Sequence, residues 1–192
     1  MTNYDASLVV DEIFYLYKLY GEEDYIGESV SQLEHMCQAA QLAEEMGFDE
    51  ELILAAFFHD IGHLCEHIMP VTHMEGVGVV DHENLGMEFL IKRGFSKRIG
   101  LLVKSHVEAK RYLTFKYSDY FQKLSDASKK TLEYQGGIMS EEEAIAFEND
   151  PLFEDFIKMR TLDDLAKVEG KPLPDINYYK AMAVRHLQKE TI

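Results

Sequence analysis

The stretch Ile53-Leu54-Ala55-Ala56-Phe57-Phe58-His59-Asp60-Ile61-Gly62-His63 decides the fold of this chain. Its apolar first half predicts a buried helix that leads directly into an adjacent histidine and aspartate. Burying a carboxylate is costly unless the carboxylate is paired or bound to a metal. His59 can bind one metal ion, and Asp60, with two oxygens, can bridge that ion and a second one. For an isolated His-Asp dipeptide, a hydrogen-bonded pair in the core is the structural alternative.

Composition bounds the class of protein. The chain has 192 residues, 46% of them hydrophobic, which suits one domain with a substantial core. The formal net charge of −16 argues against nucleic acid as a partner, because phosphate backbones require basic surfaces. No apolar run reaches membrane-spanning length, and the first residues lack the features of a signal peptide. We therefore expect a cytoplasmic protein without a membrane partner, in which residues 1–192 form a single domain.

Helical periodicity covers nearly the whole chain, and no period-2 run is long enough to predict a strand. Glycines and prolines separate the helical segments. The predicted helices span about 6–20, 29–46, 49–64, 81–93, 96–109, 117–134, 140–148, 151–158, 161–168 and 175–190, with a loop over 67–80. The sequence thus predicts an all-α fold.

Histidines and carboxylates recur at helical spacing along the chain. Glu28, Gln32 and His35 share one face of the second predicted helix, and Tyr25 lies at its entry. Four imidazoles and two carboxylates from five segments form the candidate ligand set: His35, His59, Asp60, His82, His106 and Asp163. Such ligands without thiolate suit iron, manganese or zinc. Six ligands, one of them bridging, predict a site for two metal ions between the helices.

Cationic and hydroxyl side chains accompany these candidate ligands. A lysine shares a helical face with His106, an arginine shares one with Asp163, and two hydroxyls share a third face. These four residues are Lys110, Arg160, Ser128 and Thr131. Such groups near metals suit a phosphoryl-type oxyanion. For the two hydroxyls, helix capping or solvent exposure is the structural alternative.

The other histidines have less specific interpretations. His63 follows His59 by one helical turn and could contact substrate, support a ligand or have a structural role. His67 and His73 fall in the predicted loop and are expected to be exposed to solvent. His186, near the C-terminus, is also expected at the surface.

The sequence resembles the HD superfamily, whose H…HD…D pattern matches His35, His59-Asp60 and Asp163. It is most similar to the mixed-valent diiron oxygenase branch, which includes myo-inositol oxygenase and the PhnZ-like phosphonate-cleaving oxygenases. The stretches that carry the resemblance are Asp24–Glu28, Gln32–His35, Phe58–His63, His106–Leu113 and Leu124–Gly137. The similarity covers nearly the whole chain, and the loop 65–80 departs from the family pattern.

The resemblance implies an HD-superfamily helical domain that holds a mixed-valent Fe(II)/Fe(III) pair. One iron would be held by His35, His59 and Asp163 and the other by His82 and His106, with Asp60 bridging the two. Asp164 is adjacent to Asp163, and the spacing to Lys167 favours Asp163.

The resemblance also implies how the substrate is bound. The phosphonate-binding residues would be His63, Lys110, Ser128, Thr131 and Arg160. Tyr25 would occupy an iron position at rest and leave it when substrate binds, and Glu28 would meet the substrate amine. Tyr25, Glu28 and Asp60 are accordingly the expected catalytic residues.

The implied activity is O2-dependent cleavage of the carbon–phosphorus bond of a small organophosphonate. The expected substrate is (R)-2-amino-1-hydroxyethylphosphonate, which would give glycine and phosphate. One alternative keeps this reaction and takes the trimethylated amine, giving glycine betaine. A metal-dependent phosphohydrolase and an HD module without catalytic activity are alternatives from other classes.

Overall fold

The computed structural model describes residues 3–25 and 27–189. Within these residues the chain is helical and contains no strand. The helices are α1 (Asn3–Tyr20), α2 (Gln32–Glu45), α3 (Glu50–Phe58), α4 (Ile61–Leu64), α5 (His82–Ile91), α6 (Lys97–Lys116), α7 (Tyr120–Lys123), α8 (Asp126–Tyr134), α9 (Glu141–Glu148), α10 (Phe153–Leu165) and α11 (Ile176–Lys189). A short 3-10 helix, Cys65–His67, follows α4. The predicted all-α fold is confirmed.

Helix α6 has the widest set of helical neighbours in this fold. It packs against α3, α5 and α10, while α2 packs against α3 and α10. The side chains that α2, α3, α5, α6 and α10 send inward therefore converge on one interior region. Helices α1 and α11 pack against each other, and α11 also packs against α3.

Aromatic rings bury the apolar end of α3. Phe57 is fully buried, and its ring stacks on Phe14 with centroids 5.4 Å apart and lies 5.0 Å from Tyr179. Phe58 is also fully buried and packs edge-on against Phe95 at 5.3 Å. Aromatic pairs of this kind add to the stabilisation from burial. The buried end of α3 carries the residues that follow it into the interior.

The predicted helix over 49–64 is wrong as a single element. Helix α3 ends at Phe58, and α4 begins at Ile61. Asp60 has φ −103° and ψ 12°, outside the helical region. In a regular helix, consecutive side chains point about 100° apart and do not face one another. The break therefore allows His59 and Asp60 to face the same interior space.

Other helix boundaries also differ from the predicted ones. Helix α6 continues past 109 to Lys116, because Tyr112 keeps its apolar face buried. The two helices predicted over 151–158 and 161–168 are one helix, α10, since Met159 and Leu162 are buried across the predicted gap. The helix predicted over 117–134 is split into α7 and α8, and the Ser125 side chain caps the second. No helix in the described ranges is long and apolar enough to cross a membrane. That residues 1–192 form one domain stays a prediction.

Candidate metal centre

Asp60 lies between two pairs of histidines. One carboxylate oxygen, Oδ2, is 3.6 Å from His35 Nε2 and 3.4 Å from His59 Nε2. The other, Oδ1, is 3.4 Å from both His82 Nε2 and His106 Nε2. None of the five residues is more than 4% exposed. The break after α3 thus places one carboxylate at the centre of four buried imidazoles.

Backbone carbonyl groups orient all four imidazole rings. Each Nδ1 faces a carbonyl oxygen: His35 faces Ala166 at 2.9 Å, His59 faces Ala56 at 2.8 Å, His82 faces Val79 at 3.3 Å, and His106 faces Val103 at 2.6 Å. Because a carbonyl only accepts, Nδ1 is the donor in each contact, and Nε2 is the ring nitrogen that can bind a metal ion when it is unprotonated.

These Nε2 atoms face each other in pairs. His35 and His59 are 2.9 Å apart at Nε2, and His82 and His106 are 3.0 Å apart. At this distance either one nitrogen of each pair carries a proton or a cation lies between the two nitrogens. Each pair of nitrogens is therefore close enough to bind one metal ion together.

The ligand atoms form two buried groups, His35–His59–Asp163 and Asp60–His82–His106, and within each group they lie within 4.8 Å of one another. Asp163 Oδ1 is 3.4 Å from His35 Nε2. Asp60 Oδ2 has no hydrogen-bond partner among the residues that the structure describes. A buried, unpaired carboxylate oxygen next to two imidazole nitrogens is what a metal ion requires. The two groups fit a dimetal site.

Both carboxylates favour the charged form. Burial raises the pKa of Asp60, but the nearby His59 and the other imidazoles outweigh it and hold the pKa well below its usual value. Burial likewise raises the pKa of Asp163, and the Arg160 guanidinium brings it well below the usual value. Carboxylates that stay ionised at neutral pH are ready to bind metal.

The four predicted cationic and hydroxyl residues lie together beside these ligands and line the same cavity as Asp60 and Asp163. Lys110 Nζ donates to Thr131 Oγ1 at 2.9 Å, and Arg160 Nη2 donates to Ser128 Oγ at 3.3 Å. We call Lys110, Ser128, Thr131 and Arg160 the anion wall. Burial, followed by the charge of Arg160, lowers the pKa of Lys110 to about 7.

Arg160 is held by residues outside the predicted set. Its Nε donates to the Tyr120 hydroxyl at 2.7 Å, and that hydroxyl donates to Asp164 Oδ2 at 2.6 Å. Asp164 also accepts directly from Arg160 Nη2. Tyr120 could not be predicted from helical spacing, because it lies on a separate short helix, α7, 40 residues before Arg160 in the chain. Asp164 thus pairs with Arg160 and Tyr120, whereas Asp163 pairs with Arg160 and also lies beside His35.

His63 presents a neutral N–H group to the cavity. The Val79 backbone N–H donates to His63 Nδ1 at 3.1 Å, so the ring proton is on Nε2. Its ring stacks on His82 with centroids 4.1 Å apart. Burial holds the pKa of His63 well below its usual value. His63 is therefore a hydrogen-bond donor without a charge, and it lines the cavity.

Tyr25 and Glu28 lie at one side of the cavity. The Tyr25 ring stacks on the His35 ring with centroids 4.1 Å apart. Glu28 Oε1 accepts from Lys167 Nζ at 2.9 Å, an ion pair that the sequence did not reveal because Lys167 lies beyond the end of α10. The cavity is also lined by Gln32, Gln135, Met74 and Val77.

The remaining histidines were only partly predicted. His73 is exposed, as expected. The prediction for His67 is wrong, since its ring is half-buried and stacks on Tyr20 with centroids 3.6 Å apart. His186 is 5% exposed rather than at the surface, because it lies against Phe95 and accepts from the Ser96 backbone N–H at 3.2 Å.

Comparison with known proteins gives the family. Residues 32–150 match the family model described as HD domain. An uncharacterized protein, L432, of Acanthamoeba polyphaga mimivirus is 46% identical over 95% of this chain and 83% of that relative. A [1-hydroxy-2-(trimethylamino)ethyl]phosphonate dioxygenase (glycine-betaine-forming) of Leisingera caerulea is 37% identical over 94% of this chain and 91% of that relative. A hydroxymethylphosphonate dioxygenase of Gimesia maris is 39% identical over 88% and 84%, respectively. This chain belongs to the HD-domain family, and its relatives include two phosphonate dioxygenases.

Proposed function

We propose that this protein is an iron- and O2-dependent oxygenase that cleaves the carbon–phosphorus bond of (R)-2-amino-1-hydroxyethylphosphonate. The observation that supports this proposal most strongly is the position of Asp60, whose two carboxylate oxygens each face one histidine pair. The residues of the anion wall line the same cavity as Asp60. A candidate two-metal centre that shares its cavity with a cluster of cationic and hydroxyl side chains supports this proposal. The Leisingera and Gimesia relatives are named as phosphonate dioxygenases, which supports the same class of reaction.

His35, His59 and Asp163 would hold one iron ion, His82 and His106 the other, and Asp60 would bridge them. A mixed-valent iron pair, when bound, supplies the activation of O2. The absence of thiolate from the ligand set supports iron but is also compatible with manganese and zinc. The chemical identity of the metal is therefore part of the proposal.

The anion wall would bind and orient the phosphonate. Arg160 and Lys110 supply positive charge, Ser128 and Thr131 supply hydroxyl groups, and His63 supplies its neutral Nε2–H. Charge-assisted hydrogen bonds of this kind are stronger than neutral ones and fix the direction of the bound oxyanion. Local cations are needed because the net charge of −16 repels an anionic substrate at long range.

Tyr25 would control access to the metals, since its ring covers the His35 imidazole. Its displacement by substrate is proposed from the resemblance to the oxygenase branch, together with this stacked position. Glu28, which shares the cavity, would lie near the substrate amine.

The reaction balances without water. One molecule of O2 and one of the hydroxyphosphonate give one glycine and one phosphate, with the carbon–phosphorus bond broken and carbon 1 oxidised to a carboxylate. The two oxygen atoms of O2 balance one new oxygen on carbon 1 and one new oxygen on phosphorus, and the oxygen on carbon 1 comes from O2. Enclosing carbon 1 in a buried cavity excludes competing reactions.

The test is an assay of iron-loaded protein. The protein is loaded with iron without oxygen, mixed with ascorbate and substrate, and then exposed to O2. The proposal predicts equal amounts of phosphate and glycine, formed only with O2. Phosphate released from a nucleotide without O2, and none from the phosphonate, would instead support a phosphohydrolase.

A further inference from the structure

Two glutamine side chains in the cavity have buried amide oxygens without a donor. Gln32 Oε1 and Gln135 Oε1 have no hydrogen-bond partner within residues 3–25 and 27–189, and both residues line the cavity. Gln32 is only 5% exposed, so its amide lies away from the protein surface. A buried acceptor left unpaired costs roughly 1–3 kcal/mol. A ligand that brings a donor recovers this free energy.

One of these glutamines is close in sequence to a candidate metal ligand, and the other is close to a residue of the anion wall. Gln32 is the first residue of α2 and precedes His35 by one helical turn, so both side chains lie on one face of that helix. Gln135 follows α8, four residues after Thr131, whose hydroxyl accepts from Lys110. One amide therefore continues the metal-ligand face and the other continues the anion wall.

Glu28, a carboxylate that lines the same cavity, already has a cation. Glu28 accepts from Lys167 at 2.9 Å, and the side chains are 13% and 18% exposed, respectively. A substrate ammonium at Glu28 must compete with Lys167 or share the carboxylate with it. The glutamine oxygens have no such competitor within the described chain.

We infer that Gln32 and Gln135 select a substrate whose amine has N–H donors and is attached to the carbon next to the phosphonate-bearing carbon. The inference rests on the proposed function and specifies the substrate class within it: a primary ammonium, in preference to a trimethylammonium or to no substituent. A trimethylammonium has no N–H group and favours aromatic walls. Among the described residues that line the cavity, Tyr25 is the one phenyl, phenol or indole ring.

The test compares three compounds that share the hydroxyphosphonate group. These are (R)-2-amino-1-hydroxyethylphosphonate, its trimethylated analogue and hydroxymethylphosphonate. For iron-loaded wild type, Gln32→Leu and Gln135→Leu, kcat/KM is measured with O2, and affinity is measured by calorimetry without O2. Each leucine variant should lower the ratio of amine to hydroxymethyl kcat/KM, and the matching affinity ratio, by roughly tenfold or more, as expected for a lost hydrogen bond to a charged group.

Two further variants test whether the substrate preference depends on an acceptor oxygen in the cavity or on the loss of any buried amide. Gln32→Glu keeps an acceptor oxygen and removes the N–H2 group, so it should retain the preference for the primary amine. Gln41→Leu removes another buried, unpaired amide oxygen of α2 that does not line the cavity. It should leave both ratios at the wild-type values.

The inference would be overturned if both leucine variants kept the melting temperature of the wild type and amine-to-hydroxymethyl ratios within about twofold of the wild-type values. The proposed function would still stand. Wild-type preference for the trimethylated compound would likewise overturn the inference alone. Wild-type protein that releases phosphate from none of the three compounds would overturn the proposed function and the inference together.

Discussion

Arg160 donates from Nη1 to Asp163 Oδ2 at 2.8 Å, while Asp163 Oδ1 lies 3.4 Å from His35 Nε2. One carboxylate therefore joins the anion wall to the candidate metal centre. Both residues come from α10, three positions apart, so a single helix sets the distance between the two parts of the site. Removal of the Arg160 guanidinium itself is therefore expected to change the position and charge of Asp163.

Tyr120→Phe tests how Arg160 is positioned. The change removes the hydroxyl that accepts from Arg160 Nε at 2.7 Å and donates to Asp164 at 2.6 Å. Loss of a hydrogen bond to a charged group should raise KM for the phosphonate roughly tenfold. Bound iron per chain should stay at the wild-type value, since Tyr120 is not in either ligand group. An unchanged KM, or loss of iron, would contradict this role.

Lys110 predicts the pH dependence of anion binding. Its pKa is lowered to about 7, so the ammonium is charged below that pH and neutral above it. Affinity for sulfate, which keeps its charge across the neutral range, should be highest below pH 7 and fall as pH rises through it. Calorimetry on iron-loaded protein measures this.

Lys110→Met is the control for the titration. It should bind sulfate weakly and show no inflection near pH 7. Sulfate affinity that rises with pH in the wild type would contradict the assignment of a charged Lys110 to the anion wall.

Gly62→Ala should disrupt the approach of α4 to α5. A Cβ at this position would lie 1.9 Å from the His82 carbonyl oxygen, which is backbone and cannot move aside alone. Overpacking should cost about 3 kcal/mol of unfolding free energy, measured by urea denaturation. It should also displace His82 and weaken iron binding.

Gly86→Ala is the matched control on α5, since its nearest neighbour would be a Val103 methyl group at 3.2 Å. It should cost less than Gly62→Ala and leave the bound iron in place. Equal effects of the two substitutions would show that the contact with His82 is not what requires glycine at 62.

Asp60→Ala should remove iron from both positions, because the carboxylate contacts both histidine pairs. Metal analysis after anaerobic loading should find two irons per chain in the wild type and fewer than one in the variant. Asp164→Ala serves as the control and should keep both irons, since Asp164 is outside the two ligand groups. An Asp60→Ala protein with two irons would contradict the bridging role.

The sequence predicted those parts of the site that depend on spacing within one helix. Lys110 shares a face with His106, and Arg160 shares one with Asp163, because residues three or four apart in a helix are neighbours. Such pairs can be found without knowing how the helices pack. The all-α class followed from the same periodicity.

The sequence did not predict features that depend on packing between elements. The Tyr120 contact with Arg160 and the burial of His186 join segments far apart in the chain. Local propensity favours a continuous helix through Asp60, but the helix is interrupted there. A continuous helix would point the side chains of His59 and Asp60 in different directions. The Glu28–Lys167 ion pair likewise joins two loops, to which helical spacing does not apply.

Isotope labelling tests the central claim most directly. Iron-loaded protein is given (R)-2-amino-1-hydroxyethylphosphonate and 18O2 in unlabelled water, and the glycine is analysed by mass spectrometry. An oxygenase that cleaves the carbon–phosphorus bond predicts one 18O atom in the glycine carboxylate and no product without O2. Unlabelled glycine, or phosphate formed in the absence of O2, would contradict the proposed function.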